Sequence, residues 1–206
     1  MEDAFIAAFI ALFVIVDPIG IAPVFAGLTQ GTTDSHKRKM AIKGTIIGTL
    51  ILLFFALVGK PFLNVLGITM DGLRVAGGVM LFIIALEMVF EKRTERKQES
   101  AEKLDHYFED IAVFPVALPL LAGPGSIATV MLLMTSYEND LPAQGAIVAA
   151  LGLVMLITLI VFFMATKVMD WMGPTVNAVL TRLLGVILAA LAAQFILDGL
   201  KNTFMG

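Results

Sequence analysis

Residues 13–28 read Phe13-Val14-Ile15-Val16-Asp17-Pro18-Ile19-Gly20-Ile21-Ala22-Pro23-Val24-Phe25-Ala26-Gly27-Leu28. One acid and two prolines stand inside a run that is otherwise apolar. The apolar segment begins near residue 4, so Asp17 lies about 13 residues into it. At roughly 1.5 Å per residue that is close to mid-bilayer for a membrane span. Proline disfavours helical backbone at the residue before it and suits the first turn of a new helix. Aspartate is among the best helix N-caps. The stretch is therefore expected to end one half-helix near Val16, with Asp17 capping a second that starts at Pro18. Pro23 withdraws a further backbone donor, so the Ile19 carbonyl is expected to lack a helical partner and to face a ligand.

Composition places this break in a membrane. Of 206 residues, 59% are hydrophobic and 15% charged, with a mean hydropathy of +0.94. A soluble domain has apolar residues at about half and charged residues at about a quarter. The charges are also bunched, 17 of them in the stretches 29–43 and 91–110. This excludes a water-soluble globule, a disordered chain and a nucleic-acid binder with a basic face. With no cysteine, a disulfide framework, a thiolate nucleophile, an iron–sulfur cluster and a Cys-based zinc site are all excluded. The two histidines, His36 and His106, lie in the charged stretches and leave no intramembrane pair for a haem. No metal and no cofactor is expected. The N-terminal run does not read as a removable signal, because Glu2 and Asp3 precede it where a positive region is required.

Six spans of about 20 residues can be laid along the chain. They cover about 4–28, 41–63, 70–90, a part of 111–137, 142–168 and 175–200. Strands are not expected, since Leu151–Phe163 shows none of the alternation of a membrane barrel. Ten Lys and Arg fall in the loops 29–43, 91–110 and 165–175, which places those loops in the cytoplasm and both termini outside. The stretch 91–110 also carries seven acids and reads as a mixed-charge connector.

The two halves resemble each other in register. Shifted by 106 residues, so that Pro18 falls on Pro124, Asp17-Pro18-Ile19-Gly20-Ile21-Ala22-Pro23-Val24 overlies Gly123-Pro124-Gly125-Ser126-Ile127-Ala128-Thr129-Val130. At a shift of 108, Arg74-Val75-Ala76-Gly77 overlies Arg182-Leu183-Leu184-Gly185. Three spans per half is an odd number, so the second half must enter the membrane from the opposite side. The expected fold is an all-α membrane protein of six transmembrane helices. Two inverted-topology three-helix repeats, residues 1–90 and 111–206, flank the connector 91–110, and helices 1 and 4 are broken. That arrangement is typical of transporters that alternate access around a midplane site.

The second break differs in chemistry. Pro115 and Pro119 weaken the helix leading in, and Gly123, Pro124, Gly125 and Ser126 form the turn. A half-helix N-terminus exposes N–H groups and a partial positive charge that suits a carboxylate. The ends of the preceding half-helices expose carbonyls that suit an ammonium. Two such breaks meeting at the repeat interface make a site for a zwitterion. The candidate substrate residues are Asp17, Pro18, Ile19, Gly20 and Pro23 from the first break, and Gly123, Pro124, Gly125 and Ser126 from the second. The glycines favour a small, backbone-lined pocket for glycine- or alanine-sized ligands.

An acid at mid-bilayer is costly and usually functional. Asp17 is thus a candidate to bind the ammonium, to carry a coupling proton or only to cap a helix. Arg74 and Arg182 lie near span ends and either snorkel to headgroups or act as gates pairing with Asp71, Asp17 or Asp198. Gly77, Gly78 and Gly185 read as close helix contacts, and Gln194 as a donor across helices.

At these motifs the chain resembles the MarC family of bacterial and archaeal integral membrane proteins, which includes a small neutral amino acid transporter. The residues that carry the resemblance are Asp17-Pro18-Ile19-Gly20-Ile21-Ala22-Pro23, Ala122-Gly123-Pro124-Gly125-Ser126-Ile127 and Ala76-Gly77-Gly78-Val79-Met80-Leu81-Phe82. Their order and spacing extend it over essentially the whole chain. The resemblance implies six helices in inverted repeats and uptake of small neutral amino acids, coupled to H+ or Na+.

Other classes are weaker. An exporter of another small metabolite on the same scaffold shares every feature above. Against a membrane enzyme, there is no His-Glu-x-x-His, no Gly-x-Ser-x-Gly and no paired midplane acids. A channel would conduct without saturation, and a scaffold would have a dry interior. The lack of Gly-x-x-x-x-Gly-Lys argues against direct use of ATP.

Overall fold

The computed structural model describes residues 1–29, 31–90, 92 and 112–205, and the regular structure among them is entirely helical. The connector 91–110 lies, apart from Lys92, outside the described residues. In chain order the helices are α1 (Glu2–Val16), α2 (Ala22–Leu28), α3 (Asp34–Val65), α4 (Met70–Val89), α5 (Ala112–Leu121), α6 (Pro124–Ser136), α7 (Leu141–Phe163) and α8 (Ala165–Met205).

Four segments are long and apolar enough to cross a membrane: Asp34–Val65, Met70–Val89, Leu141–Phe163 and Thr175–Phe204 within α8. Their starts are written in the sequence. Thr33 caps α3 by accepting the His36 N–H at 3.3 Å, and Thr69 caps α4 by accepting that of Gly72 at 3.1 Å. Asp140 does the same for α7 from Ala143 at 2.9 Å. The other two expected spans are divided. α1 has 15 residues and α2 has 7, each too short for a bilayer core of about 30 Å. α5 and α6 divide the run before Tyr137 in the same way.

One loop reading is corrected. The expected loop 165–175 is helical, because α8 begins at Ala165, one residue after the α7 C-cap Met164. Only Gly173-Pro174 opposes helix there, and a lone proline removes a single ladder bond.

In lipid, helices gain little from apolarity itself and associate through close packing. α1 turns Ala4, Ala8, Ala11 and Ile15 inward, one small residue per turn for most of its length, and packs against α7. α4 lies along α8 through glycine. A Cβ on Gly78 would stand 2.8 Å from the Ala192 carbonyl, and one on Gly185 would stand 2.8 Å from the Met88 Cβ. Gly77 approaches Leu132 of α6 in the same manner. These glycines are close helix contacts, as their small size suggested.

The broken helices occupy the middle. Leu12, Ile15, Val16, Ile21 and Phe25 are all buried, and Phe25 stacks on Phe162 of α7 with ring centroids 4.2 Å apart. The long helices carry the outward apolar faces, such as Ile46, Leu50, Phe54 and Leu57 on α3 and Leu183, Val186 and Ile187 on α8. Non-helical backbone at membrane depth is tolerated only where protein or a water-lined cavity surrounds it. Placing α1–α2 and α5–α6 inside meets that condition.

Candidate functional site

The first break is a tight turn built on Asp17. α1 ends at Val16 as expected, but Asp17 serves as its C-cap and not as the N-cap of α2. Its backbone is left-handed, with φ 58° and ψ 64°, and its N–H donates to the Phe13 carbonyl at 2.9 Å. Aspartate is one of the few non-glycine residues that visit this conformation. The carboxylate folds forward and accepts the Gly20 N–H at 3.0 Å, while the Asp17 carbonyl accepts that of Ile21 at 3.1 Å. A Cβ on Gly20 would overlap the Asp17 carboxylate, so only glycine fits there. The second half-helix therefore starts at Ala22, not Pro18.

This shift corrects a second expectation. Pro23 falls in the first turn of α2, where its missing N–H would be unpaired in any residue. The Ile19 carbonyl is not left over, because it accepts the Ala22 N–H at 3.2 Å. Asp17 is 2% exposed. A buried carboxylate thus closes a turn whose backbone groups are largely satisfied locally.

The second break has different local physics. α5 is a π-helix, and its wide turn continues into the Ala122 N–H donating to the Ala117 carbonyl five residues back at 3.0 Å. Pro115 and Pro119, four residues apart, have no N–H to give to an α ladder, and π geometry is a known outcome of such interruption. Gly123 is the N-cap of α6, extended at φ −75° and ψ 168°, with no side-chain cap, and Pro124 occupies the first turn. Gly125 and Ser126 are buried. Thr129, also buried, turns its hydroxyl back to the Gly125 carbonyl at 2.8 Å.

The structure brings the breaks together end to start. The last turn of α1 packs on the first turn of α6, where a Cβ on Gly125 would lie 3.0 Å from Ile15 Cδ1 and 2.6 Å from Ile84 Cδ1. The end of one half-helix, a negative pole, meets the start of another, a positive pole. The glycine surface at Gly125 is covered by the Ile15 and Ile84 side-chain tips in this conformation, and flexible side chains can withdraw from it.

Of the candidate gates, Arg74 is engaged away from this meeting point, at the start of α4. Arg74 pairs with Asp71 on its own helix, Nη1 to Oδ1 at 3.0 Å, and Asn202 of α8 donates to the same oxygen at 3.2 Å. Of the three acids proposed for Arg74, Asp71 is the one it meets. Arg182 is exposed on α8. Gln194 donates at 2.8 Å to Asp198, four residues on in its own helix, and not across helices.

Residues 2–204, essentially the whole chain, match the model of the family described as "MarC family integral membrane protein". The chain belongs to the MarC family. Its relatives span archaea and bacteria. It is 37% identical over 205 residues to the UPF0056 membrane protein MJ1677 of Methanocaldococcus jannaschii, covering 98% of each chain. It is 36% identical to the UPF0056 membrane protein YhcE of Escherichia coli, covering 96% of this chain and 92% of the relative. With the UPF0056 membrane protein YvbG of Bacillus subtilis it shares 34%, over 99% and 97% of the two chains. No solved structure matches it. The family description agrees with the apolar helices in making this MarC chain an integral membrane protein.

Sequence reasoning did not find every residue that shapes the breaks in this MarC protein. Thr129 carried a signal, since a threonine four residues after a glycine can bond back to its carbonyl. Ile15 and Ile84 carried none, because nothing local marks which apolar side chain meets a glycine on another helix.

Proposed function

We propose that the protein is a secondary transporter of small neutral amino acids, glycine- or alanine-like, coupled to protons or sodium, alternating access around the two helix breaks. The observation that carries this reading is the buried meeting of the α1 end with the α6 start beside Asp17. Carbonyls at one pole suit an ammonium, and N–H groups at the other suit a carboxylate. The side chains over Gly125 leave room for a ligand only by moving, which favours small ones.

The reading includes two three-span repeats of opposite topology. The helix pairings support it by exchanging under the repeat. α1 on α7 has its counterpart in α5 on α3, α6 on α3 in α2 on α7, and α6 on α4 in α2 on α8. α3 with α7 and α4 with α8 map onto themselves. With this topology, loops 29–43 and 91–110 face the cytoplasm and both termini the outside. Transport, and not catalysis, is the activity assigned.

Zwitterion recognition is testable by binding. Glycine and alanine are expected to raise the melting temperature of the purified protein by mass action. Glycinamide, lacking the carboxylate, and N-acetylglycine, lacking the ammonium, are expected not to. Equal stabilisation by all four would remove the two-pole site. Gly125→Leu is expected to abolish the glycine effect and glycine uptake, because the larger side chain occupies the meeting point. Unchanged uptake by that variant would place the ligand elsewhere.

A further inference from the structure

Two clefts open at opposite ends of the α3–α7 pair, about 32 Å apart at roughly 1.5 Å per residue along α3. The first, about 520 Å³, lies between the end of α3, the end of α6 and the start of α7, and is lined by Phe55, Lys60, Met131, Thr135, Glu138 and Gln144 among others. The second, about 560 Å³, lies between the end of α2, the start of α3 and the end of α7, where Phe25, Thr29, Asp34, Arg38, Phe162 and Phe163 line it. The shift that sets Pro18 on Pro124 also sets Phe25 on Met131, Thr29 on Thr135 and Arg38 on Gln144. Even the local bonding repeats. Thr29 Oγ1 donates to the Phe25 carbonyl at 2.8 Å, and Thr135 Oγ1 to the Met131 carbonyl at 2.8 Å. The clefts are counterparts under the same register that relates the two breaks.

Each is bridged by a different charge contact. In the first, the Lys60 ammonium pairs with the Glu138 carboxylate, bridging α3 to the α6–α7 turn. In the second, the Arg38 guanidinium lies 5.5 Å from the centre of the Phe163 ring, bridging α3 to the end of α7. We propose that the two clefts are the two access paths to the breaks and that Lys60 and Glu138 form the gate of the first. This rests on the transport reading above. α3 and α7 are continuous helices that line both clefts. A rocking motion that parts them at one end closes them at the other, which is the rigid-body exchange that alternating access needs. The gate pair is partly exposed, with side chains 35% and 44% accessible, so it is a weak, reversible latch that biases the equilibrium.

The absence of native cysteine gives a clean test. Ala56→Cys reports on the first cleft and Ala26→Cys on the second, each read as the rate of maleimide labelling in reconstituted protein. Lys60→Glu sets like charges against Glu138. It is expected to speed labelling at position 56 and to slow it at position 26, by up to about fivefold, the population shift a surface ion pair supports. Glu138→Gln, without repulsion, is expected to act in the same direction and less. The charge swap Lys60→Glu with Glu138→Lys is expected to restore both rates, which separates gating from misfolding. Rates that move together, or a swap that restores neither, would overturn the gate. Labelling needs no substrate, so normal glycine uptake without reciprocal labelling would fail the gate alone. Reciprocal labelling without uptake of any neutral amino acid would fail the transport reading alone.

Discussion

Asp17→Asn is expected to leave a folded protein that has lost coupled uptake, whereas Asp17→Ala is expected to lose stability as well. The two variants separate the roles that one side chain combines. Asp17 sits at φ 58°, and asparagine shares the tolerance for that conformation. The asparagine Oδ1 can also continue to accept the Gly20 N–H that the carboxylate now accepts at 3.0 Å. The turn therefore survives and only the charge is removed. Alanine provides neither property. It bears about 1–2 kcal/mol of left-handed strain and leaves a buried N–H unpaired at about 1–3 kcal/mol. A loss of roughly 2–5 kcal/mol is large against the stability of a domain. Thermal unfolding in detergent reads the first effect, and proteoliposome uptake the second. Full uptake by Asp17→Asn across pH would reduce Asp17 to a turn-forming residue.

Gly78→Leu is expected to have a large effect on folding. A Cβ at this position would stand 2.7 Å from Ile196 Cγ1, 2.8 Å from the Ala192 carbonyl and 3.0 Å from the Ile196 nitrogen. Two of these are backbone atoms and cannot rotate away. α4 and α8 must separate along the seam that joins the halves, at a cost of about 3 kcal/mol or more. Gly185→Leu is expected to act alike, against Met88 and the Ala85 carbonyl. Gly152→Ala in α7 is the control. Nothing lies within 4 Å of its added Cβ, so helix propensity should leave stability unchanged or raise it by up to about 1 kcal/mol. Melting temperatures of the three variants check the ranking. A Gly78→Leu protein as stable as Gly152→Ala would contradict the packing described for α4 and α8.

Much of this fold is legible because membranes simplify the code. Runs such as Leu151–Phe163 announce their helices by apolarity and length. Asp17-Pro18 and Gly123-Pro124 announce breaks, because proline and a polar cap act on neighbouring backbone. The kind of break was harder to read. Aspartate can cap a helix start, or close a left-handed turn at a helix end, and the choice rests on whether its carboxylate reaches the Gly20 N–H. Pro115 and Pro119 forbid two hydrogen bonds but do not specify the π register that α5 adopts. The cover of Ile15 and Ile84 over Gly125 depends on three helices distant in sequence, and local pattern holds no record of it. Lys60 and Glu138 stand 78 residues apart, and only the fold makes them partners.

The most direct measurement is uptake of labelled glycine and alanine into liposomes holding the purified protein, with and without an imposed proton or sodium gradient. The account predicts saturable uptake that one gradient raises and that collapses when the gradient is dissipated. No uptake under any gradient, from protein shown to be folded, would contradict it and shift the assignment to export of another small metabolite.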